Sequence, residues 1–289
     1  MDTRKSLKKA TAPHTICHHR FFPDLILDYI SQSPETKEFY GNYPDKAGFA
    51  KQIEERSKMP INRQLLADVI TEQLENLKTS EKTRQNIELL RQDNTFTVTT
   101  GHQLNVFTGP LYFVHKIIST INLAEQLKKD FPDKNFVPIY WMHTEDHDFE
   151  EINHIHLFGK KIEWEGDYKI PAGYLDSTEL AGVIAQLGEI MGDSENAREL
   201  KSLFHKAYLE HTNLADATQF LANELFAEYG LVILEPNDNR LKQLFSPQLK
   251  EEIFRQSNSP IVAQTNEKLD AKGYKVQVNP RETRPILDH

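Results

Sequence analysis

An open α/β fold on a parallel sheet is what this sequence predicts, on three observations. Thr95 to Thr100 is rich in β-branched residues and stops at Gly101 in a polar loop. Phe136 to Trp141 is a second apolar run, and it stops in the polar string HTEDHD. Between them Leu111, Val114, Ile117, Ile118, Ile121 and Leu127 recur at helical spacing behind Gly109-Pro110. A strand, a crossover helix and a second strand make a parallel unit. In such sheets ligands bind beyond the carboxyl ends of the strands, so two polar strand ends close in sequence predict one site.

The elements follow in order. Residues 1–94 read as a mainly helical N-terminal part. Leu25, Leu27, Tyr29 and Ile30 begin an apolar stretch, which Tyr40, Gly41, Tyr43 and Pro44 interrupt with turn chemistry. Leu65, Leu66, Val69, Ile70, Leu74 and Leu77, then Ile87 and Leu90, return to helical spacing. Residues 95–282 form the expected core. Ile155 to Leu157 and Lys161 to Trp164 predict a hairpin around Gly159, and about 180–229 reads as a helical insertion. Leu231 to Leu234 is a third buried strand. Helices follow over about 240–256 and 261–272, and Tyr274 to Val278 alternates as a strand would.

Composition narrows the function. The 289 residues carry 38% hydrophobic and 27% charged side chains, a globular balance. The net charge of -9 is spread along the chain. Arg4, Lys5, Lys8 and Lys9 cluster without aromatics, so no nucleic-acid partner is expected. They also precede no apolar signal-peptide segment, and no apolar run is long enough to span a bilayer. Cys17 is the single cysteine, which leaves no internal disulfide and no cysteine-rich zinc site. A cytoplasmic protein without a membrane partner is the expectation.

Two polar segments carry the candidate chemistry. In Thr99-Thr100-Gly101-His102-Gln103 the glycine permits close backbone approach, and the hydroxyls and N–H groups suit a phosphate. The segment is neither a Walker loop nor a dinucleotide fingerprint. An ordinary strand-ending turn explains it equally well. In His143, Glu145, Asp146, His147 and Asp148, the two histidines lie four apart, which invites a metal site with His154 and His156 nearby. The HTEDH order lacks the metalloprotease glutamate, and a solvated acidic loop is the simpler account. Glu235 and Asp238 close the third strand, where a carboxylate can hold a sugar hydroxyl, but on spacing alone capping of the next helix by Asn237 or Asp238 is the preferred reading. Trp141 emerges beside these groups. Cys17 lies among His14, His18 and His19, with no partner to orient a nucleophile.

Four segments together resemble the bacillithiol biosynthesis cysteine-adding family, BshC. They are TTGHQLNVFTGPLYFVHK at 99–116, FVPIYWMHTEDHDFEEINH at 136–154, GLVILEPND at 230–238 and GYKVQVNPRE at 273–282. The resemblance spans about Phe21 to Glu282. It implies a Rossmann-like, doubly wound parallel sheet similar to nucleotidylyltransferases, with connecting insertions. It implies a carbon–nitrogen ligase that adds cysteine to the amine of glucosaminyl malate, the last step of bacillithiol synthesis. Magnesium-bound ATP is the expected source of activation. His102, Asp146 and His147 are then catalytic candidates. Thr100, Gly101, Gln103, Asn105, Gly109, Lys116, Trp141, His143, Glu145, Asp148, Asn237 and Asp238 are candidates for holding substrate or nucleotide, with no resident metal. Two other readings stand beside this one: a metal-dependent hydrolase built on His143 and His147, and a non-catalytic nucleotide-binding module. Family members continue into a helical coiled coil that carries a homodimer interface. Residues 283–289 do not match that continuation, so the resemblance implies a truncated chain without it.

Overall fold

The computed structural model describes residues 22–278. Along the chain run α1 (Asp24–Ile30), α2 (Lys46–Ser57), α3 (Arg63–Gln73), α4 (Glu81–Leu89), β1 (Thr95–His102), α5 (Tyr112–Asp130) and β2 (Asn135–Met142). Next come α6 (Phe149–Ile152), β3 (His154–Leu157), β4 (Lys160–Glu163), α7 (Ala181–Met191), α8 (Glu195–Leu209) and α9 (Leu214–Phe226). The last elements are β5 (Val232–Leu234), α10 (Asn239–Arg255) and α11 (Asn258–Ala271). Among the described residues two compact units separate. One holds residues 22–52 with 245–278, and the other holds 53–244.

The larger unit is built on a parallel sheet in the order β1-β2-β5. β1 and β2 pair in register from Thr95↔Asn135 to His102↔Met142. Val137, Ile139 and Tyr140 of the central strand are all buried, so both faces of the sheet are covered. α5 packs on β1 and β2, α3 and α4 lie against β5, and α9 closes on β5. A hairpin of β3 and β4 turns through Phe158 and Gly159, both at positive φ. Local caps fix the helices: Ser80 accepts from the Thr83 N–H, and Thr83 and Asn86 donate to carbonyls of residues 227, 231 and 230.

The smaller unit packs a tyrosine trio, with Tyr29 edge-on to Tyr40 at 5.0 Å and tilted against Tyr43 at 5.3 Å. Tyr274 donates to Asp28 at 2.6 Å, and Lys272 meets Glu35 at 2.7 Å.

Three expectations change. Tyr274 to Val278 forms no strand; the Tyr274 ring is buried and tied to Asp28, and no strand pairs with the segment among the described residues. The apolar face of α5 is rotated. Phe113, Ile117, Ile121, Ala124 and Leu127 are buried, whereas Leu111 is 66% exposed. The helix proper begins at Tyr112, with Leu111 outside it at the N-cap, and Phe113 packs edge-on against Tyr140 at 5.3 Å. β1 also runs through Gly101 to His102 rather than stopping before them. Cys17 and residues 279–289, on which the sequence also raised expectations, lie outside the described residues.

The loop joining β1 to α5 has an unusual backbone. Phe107, Thr108 and Gly109 all have positive φ, at 54°, 69° and 54°. Two non-glycine residues there carry strain that surrounding contacts must hold. The Phe107 N–H donates to the buried Tyr208 hydroxyl at 2.7 Å, and the Phe107 ring packs edge-on against Phe204 and Tyr208. Replacing Tyr208 with Phe orphans that buried N–H and should lower stability by roughly 1–3 kcal/mol. Thermal unfolding tests this, and an unchanged transition would mean another group holds the loop.

Candidate functional site

The register of β1 and β2 decides where the site forms. Because the ladder ends at His102↔Met142, both polar loops leave the sheet at one level. Between them lies a cavity of about 1240 Å³. Gly101, His102, Gln103, Asn105, Gly109, Lys116, His143 and Asp146 all line it.

Gly101 is where the two loops touch. A Cβ there would stand 2.4 Å from Nε2 of His143, so only glycine lets the imidazole lie against the strand. The loop of residues 143–148 is held from below: the Ala172 N–H donates to the Asp146 carbonyl at 2.6 Å and the Gly173 N–H to the Thr144 carbonyl at 2.9 Å. Lys116, one turn into α5, reaches back to the Gly101 carbonyl at 2.5 Å. Gly109 lies against Asn105, where any Cβ would meet the Asn105 Cβ at 2.4 Å.

Gln103 clamps the acidic wall. Its Nε2 donates to Asp146 at 2.9 Å and to Glu151 at 2.7 Å. Burial pushes the Asp146 carboxyl upward, but the Asp148 N–H, the Gln103 amide, the His147 backbone and the charge of His143 outweigh it. The net shift is downward, so Asp146 is ionised at neutral pH. His102 moves down too: burial dominates, and the charges of Lys116 and His143 add to it against the Gln103 carbonyl. Its imidazole is therefore neutral at neutral pH.

The remaining candidates lie elsewhere. Thr100 faces a separate shallow cavity beside His115 and Ser119. Trp141 is 42% exposed and does not line the main cavity. Glu145 is exposed and pairs with Lys242. His147 and Asp148 are exposed, and the Asp148 N–H ties down the Asp146 carboxylate at 3.1 Å. Asn237 donates to the Tyr174 hydroxyl at 2.9 Å. Asp238 accepts from the Arg240 N–H at 2.8 Å at the start of α10. His143 and His147 sit in a loop, not on one helix face, and among the described residues no group of three or more His, Cys, Asp or Glu is arranged to hold a metal.

Two parts of the cavity were not singled out from sequence. Glu151 is one; α6 buries Phe149 and Ile152, and that spacing leaves Glu151 outward beside Gln103. The other is an apolar wall from the helical insertion, with Leu187, Met191, Leu203 and Leu225. A helix face reads as core in a sequence, and only packing shows which part of it stays open to a cavity.

A parallel α/β domain with a cavity at its strand ends, polar where the strand-end loops line it, is of the Rossmann-like class. The sequence profile of "Bacillithiol biosynthesis BshC, N-terminal Rossmann-like domain" matches residues 13–284. The chain belongs to that family. It is 50% identical over 264 residues to a Flavobacterium johnsoniae protein named "Putative cysteine ligase BshC", covering 91% of this chain and 50% of that one. Proteins of the same name from Flavobacterium psychrophilum and Christiangramia forsetii are 49% and 48% identical, each over 91% of this chain and 50% of theirs. The chain thus spans about half the length of these curated relatives.

Two outcomes follow from this geometry. Gly101→Ala should displace the His143 ring while the β1–β2 amides keep their positions, visible as a change confined to the cavity loops in an NMR amide map; an unmoved His143 would refute the contact. Glu235 offers a pH test. Its Oε1 accepts from Thr144 at 2.5 Å and from the Asn237 N–H at 2.7 Å, while Oε2 is buried with no partner. Burial raises its pKa above the ordinary carboxylate value. A raised folded-state pKa means stability is lost as pH rises through it. Glu235→Gln should therefore raise the melting temperature at pH 8, with the gain shrinking toward pH 4. A gain independent of pH would count against this.

Proposed function

We propose that this chain forms the catalytic domain of a ligase that joins cysteine to the amine of glucosaminyl malate, completing bacillithiol. One observation carries the reading: in a chain of this family, the β1 and β2 ends and the start of α5 gather His102, Gln103, Asp146 and Lys116 around one cavity. The cavity is polarised. Lys116, Gly109 and the amino end of the 19-residue α5 suit an anionic group, because helix amino ends and ammonium groups both attract negative charge. Asp146 and Glu151 suit an ammonium. The substrates of such a ligase carry carboxylates and amines, and they need both ends.

Amide formation needs an activated carboxyl group. Magnesium-bound ATP is the proposed source, and the Lys116 end has the donors its phosphates require. ATP would supply the leaving group for the acyl carbon. The chain's own residues do the rest: Lys116 offsets negative charge, Asp146 holds a positive one, and the apolar wall excludes water. The Asp146 carboxyl is held below the usual carboxylate range, which makes it a weak proton acceptor and suits it to hold an ammonium. The hydrolase reading is not favoured, since the histidines gather no metal-binding group among the described residues. A cytoplasmic site of action and a homodimer through a C-terminal coiled coil are parts of the same proposal. Among the described residues no helix is long and apolar enough to cross a membrane.

Low-molecular-weight thiols in cells lacking the gene test the substrate reading. Bacillithiol should vanish while glucosaminyl malate accumulates, and an unchanged bacillithiol level would overturn the proposal. Introducing His102→Ala or Asp146→Asn into the chromosomal copy should cut the rate of bacillithiol formation by about 10²-fold or more. Wild-type rates in both would remove these residues from the mechanism.

A further inference from the structure

Thr144 stands between His143 and Asp146, both of which line the cavity, yet Thr144 itself does not. It is 2% exposed and turned into the domain. Its hydroxyl donates to Oε1 of Glu235 at 2.5 Å. Its carbonyl accepts from the Gly173 N–H at 2.9 Å, and a Cβ on Gly173 would stand 2.9 Å from the Thr144 Cβ. Side chain and backbone hold Thr144 together, with no spare room on the Gly173 side.

Glu235 is itself anchored. It follows the last β2–β5 pair, Trp141↔Leu234, so it leaves the sheet where β2 gives way to the HTEDHD loop. Gln73, the last residue of α3, fixes its backbone at both groups. The Gln73 amide donates to the Glu235 carbonyl at 2.8 Å, and its oxygen accepts from the Glu235 N–H at 3.1 Å. The Asn237 N–H donates to Oε1 at 2.7 Å beside the Thr144 hydroxyl. Oε2 is buried without a partner. A buried acceptor left unanswered destabilises a fold, so this carboxyl is a poor filler of core space. What it supplies is a fixed acceptor for Thr144.

The path from this contact to the cavity is short. Thr144 is one residue from His143, whose ring lies against Gly101, and two from Asp146, which Gln103 clamps. A shift at Thr144 passes through the backbone to both. Misplacing a binding group by about 1 Å is enough to lower a rate on the order of 10²-fold.

We propose that Glu235 and Thr144 are positioning residues: the carboxyl at the end of β5 fixes the Thr144 hydroxyl, and through it sets where His143 and Asp146 stand in the cavity wall. The part of that wall in joining cysteine to an amine rests on the function proposed above; the positioning does not.

The test reads the wall directly. Nitrogen-15 spectra of the full chain follow the His143 backbone amide and the Gln103 side-chain amide, which reports its contact with Asp146. Thr144→Val removes the hydroxyl and Glu235→Met removes the acceptor, so each breaks the contact from one end. Both should move the Gln103 and His143 signals while the β1–β2 amides stay in place. Should Thr144→Val fail to fold, Glu235→Met reads the same contact. Thr144→Ser and Glu235→Gln keep donor and acceptor and should restore the wild-type pattern. A contact that serves stability alone predicts a lower melting temperature with unmoved Gln103 and His143 signals, and that result overturns the proposal. So do shifts as large in Thr144→Ser and Glu235→Gln as in the variants that break the contact. Bacillithiol formation in cells carrying Thr144→Val should fall about tenfold or more and return with Thr144→Ser. A displaced wall with an unchanged rate leaves the positioning standing and removes this wall from the proposed reaction.

Discussion

The in-register parallel ladder between β1 and β2 is the constraint on which the site depends. A strand has a side-chain period of two, so a slip of one residue would turn every side chain to the opposite face. Here the pairing runs from Thr95↔Asn135 to His102↔Met142. Both strands therefore release their polar loops at one height, and the backbone N–H of His143 still finds the His102 carbonyl at 3.2 Å. The contact of Gly101 with the His143 ring is possible only because of that alignment. The burial of Val137, Ile139 and Tyr140 on both faces makes the register costly to change.

Charge in the cavity is arranged by hydrogen bonds more than by salt bridges. Gln103 spans two carboxylates that would otherwise repel, and the backbone N–H of Asp148 turns toward Asp146. Neutral donors thus keep Asp146 ionised without cancelling its charge, as an Arg would. Lys116 is engaged by a carbonyl, Gly101 O, and not by a carboxylate, so its positive charge also stays available. The cavity keeps two opposite charges apart instead of neutralising them internally.

Much of this was legible in the sequence because strands and their ends have local signatures. β-Branched runs closed by glycine or by polar strings marked β1, β2 and β5, and Gly159 marked the hairpin. What escaped depended on contacts distant in the chain. Phe113, not Leu111, lies on the buried face of α5, where it meets Tyr140, 27 residues on. Tyr274 to Val278 has the alternation of a strand, but pairing needs a neighbour, which a pattern does not supply. Within the HTEDHD segment, His143 and Asp146 face the cavity while Glu145, His147 and Asp148 do not. A loop has no period from which that split could be read. Glu151 was visible only as one of two adjacent glutamates.

The left-handed run of Phe107, Thr108 and Gly109 has a consequence for how a ligand would be received. Its backbone is already confined, in an unfavourable region, by Tyr208 and Phe204 beneath it. The conformational freedom of this wall is given up when the chain folds, not when a ligand arrives. Association with the cavity would then meet a rigid receptor. Its rate would be governed by diffusion and electrostatic attraction rather than by loop ordering.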